Sequence, residues 1–276
     1  MTAVPATRIH PTRGQQGHYG LADVARMEWV KLRSVRSTGW ILGILAAGMI
    51  GLAIVALATY TSHWAHVSAA DRASFDPTEN GFAGLAVGQL VMATFGVLAI
   101  TSEFSSGMIR ATFAAVPNRP LLLGVKAAVV GAVALVAGEI VAFAGFLAGQ
   151  ASVASPAPHA MLSQPGVLRA VLMAGAYLCL AALIGLGLGA IIRHTAGAIA
   201  AVVGVTFVLP LLFLPLPDTI RHSTQRFLPE LIAENSLTAV KPVGYALSPW
   251  AGLGMLCLYA AALLGAGAFL LAKRDA

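Results

Sequence analysis

Residues 40–60 read WILGILAAGMIGLAIVALATY, 21 consecutive positions without a charged side chain. A helix needs about 20 mostly apolar residues to cross a bilayer. Five more stretches meet that standard: 82–100, 127–148, 170–192, 196–214 and 251–272. Around them, the AVILMFWYC set makes up 58% of the chain and charged residues only 10%. Soluble domains carry about 25% charge, so no ordinary soluble surface could be built from this composition. An ordinary soluble enzyme, a disordered chain and a disulfide scaffold are all excluded. The alternation of a membrane β-barrel is missing. The expected fold is an all-α integral membrane protein with six transmembrane helices. Arg193-His194-Thr195 is expected to form a tight hairpin, because one continuous helix would overrun the bilayer.

The few charges are sorted by side. Six spans put both termini together. That side holds Arg8, Arg13, Arg26, Lys31, Arg33, Arg36, Arg110, Arg119, Lys126, Arg193, Lys273 and Arg274, twelve of the 17 bases. Four acids (Asp23, Glu28, Glu103, Asp275) leave it at net +8. The opposite side has five bases against six acids, net −1, and Glu139 lies within the third span. Lys/Arg excess marks the cytoplasmic face, so both termini are expected inside, against anionic lipid. No basic stripe interleaved with aromatics points to nucleic acid. Residues 1–20 are polar, without an apolar core for a cleavable signal peptide, and are expected to be a disordered tail.

Four segments outside the spans carry information. Leu21–Gly39 reads as an amphipathic basic helix on the inner surface. Leu21, Val24, Leu32 and Val35 form its apolar face, with Arg26, Lys31, Arg33 and Arg36 on its flanks and back. Glu28 sits in that stripe; it can pair with Lys31 one turn on or tether a basic residue of a cytoplasmic loop or a partner. Thr101–Pro120 is too long for a plain hairpin. Phe104, Met108, Ala111 and Ala115 can share a helical face, and Glu103 and Arg110 are two turns apart. Such a helix suits a groove on a soluble partner, or a resting place on the membrane. Pro215–Pro249 has Phe227, Leu228, Leu231 and Ile232 at helical spacing, which fits two short helices dipping back toward the outer leaflet, or a plain loop. Thr61–Gly81 contains His63 and His66; without a matched third ligand, a solvated loop is expected and no metal.

Glu139 is the ionisable residue in mid-span. Burying such a group costs roughly 2.5–3.5 kcal/mol, so it must face protein or water, or carry a proton. Small-residue sets at 43/47/51, 84/88 and 181/185/189 permit close helix packing. Cys179 and Cys257 fall within spans, as small buried hydrophobes. No phosphate-binding loop, H-E-x-x-H or G-x-S-x-G occurs. No catalytic residue and no cofactor is assigned to this chain, so an energy source would have to be another chain.

Several pieces together resemble the ABC-2 type permease subunits of ATP-binding-cassette exporters, in particular the actinobacterial group. They are Glu28–Ser34 (EWVKLRS), Ile100–Arg110 (ITSEFSSGMIR), Ala115–Arg119 (AVPNR), Leu247–Gly252 (LSPWAG) and Lys273–Ala276 (KRDA). The resemblance covers about residues 21–276. It implies a six-span permease domain, a connecting amphipathic helix (Glu28, Lys31, Arg33, Arg36) and a coupling helix (Glu103, Phe104, Gly107, Met108, Arg110). It also implies outer re-entrant helices before span six, and a bacterial plasma membrane. A second permease chain, identical or related, and two separate ATPase subunits holding ATP and Mg are implied as partners. The alternatives are a secondary transporter or channel, and a membrane-embedded enzyme using Glu139.

Overall fold

The computed structural model describes residues 20–239, 244 and 246–273. The expected N-terminal tail with Arg8 and Arg13, the residues Lys241 and Pro242, and the terminal Arg274–Ala276 lie outside them.

The described chain is all helix and coil, without a strand. It runs α1 (Leu21–Ser34), α2 (Arg36–Ser62), α3 (Leu85–Ser105), α4 (Met108–Ala115), α5 (Arg119–Ala151) and α6 (Val167–Ile192). Then follow α7 (Thr195–Leu212), α8 (Asp218–Gln225), α9 (Pro229–Leu237) and α10 (Pro249–Lys273). Among the described residues, α2, α3, α5, α6, α7 and α10 are the six helices long and apolar enough to cross a membrane. They match the six expected stretches, and the fold is consistent with an all-α multi-pass membrane protein. The largest boundary change is at α5, which starts eight residues early. Pro120 stands in its first turn, where no intrahelical N–H is lost, and the Asn118 side chain accepts from the Leu121 N–H at 3.1 Å.

The middle of the bundle is α6, packed against α3, α5, α7, α9 and α10. Its tightest neighbour is α3. A Cβ on Gly96 would overlap the Ala182 carbonyl, and one on Gly185 would overlap that of Ala93. Small residues therefore set the α3–α6 distance, as expected for close membrane-helix packing. Gly84 also approaches α2 closely, with a Cβ site 2.7 Å from the Met49 Cα. The 43/47/51 set behaves differently: Gly43 and Gly51 have nothing within 4 Å of a Cβ position. The face of α2 that packs is the i,i+4 row Leu45, Met49, Ala53 and Leu57.

Arg193 adopts a left-handed conformation (φ 60°) and turns the chain sharply from α6 into α7. Near this turn α7 lies on α3, with Ala198 and Val202 buried beside Ala93 and Val97. From Gly204 to Val208 it widens into a π-helical turn. Within it Val205 and Val208 are exposed, and beyond it Leu211 and Leu212. The second half of α7 thus leans away from the bundle.

The ends of the bundle are pinned by polar contacts. At the basic end, Arg119 and Arg193 donate to the last carbonyls of α10, Leu271 O (2.8 Å) and Leu270 O (3.1 Å). Cations there also suit the negative end of the helix dipole. At the acidic end, the Gln150 amide bonds Pro77 O (2.7 Å) and the Ala160 N–H (2.8 Å). Asn235 donates to Leu247 O at 2.8 Å.

Candidate functional site

Four elements converge on one buried ion cluster at the basic end. Glu28 and Lys31 come from successive turns of α1, and Glu103 from the last turn of α3. Thr112 comes from α4 and Lys126 from the third turn of α5. Lys126 bonds Glu28 and also Glu103 (2.6 Å). Lys31 reaches Glu28 at 2.9 Å and Glu103 at 3.1 Å. Thr112 donates to Glu103 Oε2 at 3.2 Å. The Lys126, Glu28 and Glu103 side chains are 3%, 2% and 2% exposed, and Lys31 is 20% exposed.

Two ammonium groups and two carboxylates make a neutral set. Burying charges is costly unless their remaining hydrogen-bonding capacity is also met. Here each carboxylate receives donors on both oxygens. An apolar collar of Val24, Val116 and Leu122 closes one side. The other opens on a cleft of about 100 Å³ between α1, the start of α2 and α3.

Glu28 pairs with Lys31 as the spacing allows, and its second partner is Lys126 within α5 rather than a base of a loop or partner. The expected apolar face of α1 is divided: Val24 and Leu32 pack on the bundle. Leu21 and Val35 are exposed, and the buried side is Val24 with Glu28. Trp29, Val30, Arg26, Arg33 and Arg36 all face outward.

A single helix carrying Glu103 through Arg110 does not form. The chain breaks at Gly107, whose φ of 71° is a conformation that glycine adopts without steric cost. Glu103 and Phe104 therefore close α3, while Met108 and Arg110 open α4. Glu103 and Arg110 share no helical face. The α4 helix has two sides: Ile109 and Thr112 are buried, while Met108, Arg110, Ala111, Ala114 and Ala115 are exposed. Phe104 instead lies beneath the Arg193 guanidinium, 5.3 Å from its ring centroid.

Lys126 was not legible as a cluster member, being counted only among the bases of the inner side. Its signal was a lone lysine between Val125 and Ala127 in an apolar run, which burial requires to be paired.

The acidic end has its own buried carboxylate. Asp76 accepts from the Thr78 and Glu79 N–H groups (2.8 and 3.3 Å), capping the short helix Pro77–Asn80. Its other oxygen takes the Thr238 hydroxyl at 3.0 Å and the Ala239 N–H at 2.7 Å. Beside it, Glu79, Glu230 and Glu234 line one opening of about 390 Å³, in which no described lining residue is basic. Burial, then Glu234 and Asp76, push the Glu79 carboxyl above its ordinary range. Burial and Glu234 do the same to Glu230.

Below this opening is a second cavity of about 410 Å³ between α3, α6, α7 and α10. Gln89 and Tyr177 line both spaces, and the Tyr177 hydroxyl donates to the Gln89 carbonyl oxygen.

Glu139 faces α6, with its carboxyl where a Gly175 Cβ would be. Its Oε2 is buried without a hydrogen-bond partner. His63 bonds Thr59 O and Ser62 beside the turn Trp64–His66. Among the described residues, no three His, Cys, Asp or Glu side chains gather to hold a metal. Cys179 lies within α6, 3.3 Å from Gly131 O, and Cys257 within α10. No family model and no curated protein sequence matches the chain.

Proposed function

We propose that this chain is the membrane-spanning permease subunit of an ATP-binding-cassette exporter in a bacterial plasma membrane, driven by separate ATPase subunits. The observation that carries the reading is the two-sided α4. Its outer face, with Met108, Arg110 and three alanines, is free for a soluble partner. Its inner face is bonded through Thr112 to Glu103, and through Glu103 to Lys31 and Lys126. A push on α4 would therefore reach α1, α3 and α5 through one stiff junction. Small exposed alanines let a groove approach the helix backbone closely, as in helix-in-groove recognition. The ATPase can drive the spans only if it binds α4 differently in its two nucleotide states.

On this reading α1 lies along the inner leaflet, with Trp29 at the interface and Arg26, Arg33 and Arg36 toward anionic lipid. The α8 and α9 helices are the outer re-entrant pair. A second permease chain, identical or related, completes the translocation path. Affinity capture of the tagged chain from its native membrane tests this. A P-loop ATPase should copurify with it and be lost from the Met108→Asp/Arg110→Glu variant. An ATPase retained in full by that variant removes α4 as the coupling element.

Glu139 supports a second reading, an ion-coupled secondary transporter. Its unpartnered Oε2 lies inside a span, as proton-relay carboxylates do. Cargo uptake by ATP-free vesicles under a proton gradient, abolished by Glu139→Gln, would favour it.

A further inference from the structure

We propose that the cavity between α3, α6, α7 and α10 binds a lipophilic organic cation, seated in the cavity next to the acidic opening. As a statement about cargo this rests on the export reading; binding itself requires no ATPase.

Three observations define the ligand. The first is the shape of the cavity. The α7 helix packs on α3 up to Val202 and then turns outward at its π-helical segment, leaving a wedge of about 410 Å³ before α10. A space of this size takes a small drug-sized molecule. Its wall is apolar, with Leu188, Val205 and Leu256 among the lining residues, and no described lining residue is charged.

The second is the aromatic content. Tyr177 and Tyr259 line the wedge, as does Phe227, one face of which already carries the Arg226 guanidinium. The faces of aromatic rings attract cations, more strongly where water is excluded. Tyr259 is held by its hydroxyl, which donates to Phe227 O at 2.9 Å.

The third is the adjoining rim. Glu79, Glu230 and Glu234 form no salt bridge with a described residue. The described bases of the same end are engaged elsewhere, Arg72 with Ala65 O. Arg221 pairs with Asp218, Arg226 stacks on Phe227 at 4.7 Å, and Arg169 bonds Ser236 O and Thr238 O. Between rim and wedge lies Gln89, buried, with its side-chain oxygen taken by the Tyr177 hydroxyl. An anion placed here would meet three carboxylates, and a neutral apolar ligand would leave them unused.

Tetraphenylphosphonium and tetraphenylborate separate charge from shape, because the two ions are near-isosteric and of opposite sign. Equilibrium binding of each is measured on the purified full chain in nanodiscs, against empty nanodiscs. Saturable binding of the phosphonium should appear above the lipid background, and the borate should add none. The Glu79→Gln/Glu230→Gln/Glu234→Gln variant should weaken the phosphonium at least tenfold, and Ala262→Trp, which fills the wedge, should abolish its binding. Glu230→Gln alone, at an exposed position, should weaken it severalfold even if the triple variant does not fold. Saturable binding of the borate, or unchanged phosphonium affinity in the carboxamide variants, overturns the proposal. Because no ATPase is present, either result leaves the coupling assignment of α4 standing.

Discussion

Lys126 on α5 lies 2.6 Å from Glu103 on α3, and both are shut away from water with Glu28 of α1. The contact joins α3 to α5, Glu28 adds α1 from 98 positions away, and Thr112 adds α4. Its energetic meaning is asymmetric. The complete set gains little over a well-packed apolar one, but an incomplete set strands a buried charge.

Lys126→Met should therefore destabilise the protein by about 3–5 kcal/mol, the usual cost of breaking a buried pair. Lys31→Met should cost less, because Lys31 is partly open to solvent. Combining Lys126→Met with Glu28→Gln and Glu103→Gln should recover much of the loss. Unfolding in mixed micelles with a graded denaturant measures all three; a recovery no larger than the error would contradict the cluster as the cause.

The α3–α6 crossing makes a steric prediction. Gly96→Ala and Gly185→Ala each place a methyl group into a facing carbonyl and should cost at least the ~1–3 kcal/mol typical of overpacking. Gly43→Ala and Gly51→Ala meet open space and should be neutral, or stabilising by up to about 1 kcal/mol through helix propensity. Thermal melts of the four variants rank them, and equal effects would place the helix crossing elsewhere.

The carboxylates at the acidic opening should make stability fall as pH rises. Glu79 and Glu230 hold their protons more tightly in the folded chain than at the ordinary value of 4.5. The stability they add is complete below that value and is lost as pH climbs through their raised folded values. Glu234 raises both, so Glu234→Gln should increase the melting temperature at about pH 8 and leave it nearly unchanged at about pH 4. An equal shift at both pH values would show that Glu234 acts through packing.

The spans were legible because a membrane crossing demands apolar length, a property of local composition. The α6–α7 hairpin at Arg193 was legible for the same reason, since 45 uninterrupted helical residues cannot fit. The ion cluster was only half legible. Glu28 stood out as an acid in an apolar stripe, but its main partner Lys126 lies 98 positions away, and no local period reports such a pairing. The break at Gly107 was missed because one glycine reads equally well as helix interior or left-handed turn. The wedge beside α7 was invisible, since it comes from the direction a helix takes after a π-helical turn.

Asp76 joins the short helix Pro77–Asn80 to the chain following α9. Asp76→Ala removes a buried acceptor from Thr238 and Ala239 and should cost about 1–3 kcal/mol. The effect should be local, with limited proteolysis showing faster cleavage near residue 238. Uniform cleavage across the chain would show that Asp76 supports the whole bundle instead.

The most direct test of the central claim is the ATPase rate of the complex reconstituted from this chain and its copurified ATPase. Met108→Asp/Arg110→Glu changes only exposed side chains of α4, so the chain's own melting temperature should stay within about a degree of wild type. Stimulation of ATP hydrolysis by this chain should fall at least tenfold. Stimulation at the wild-type level by that folded variant would contradict the account.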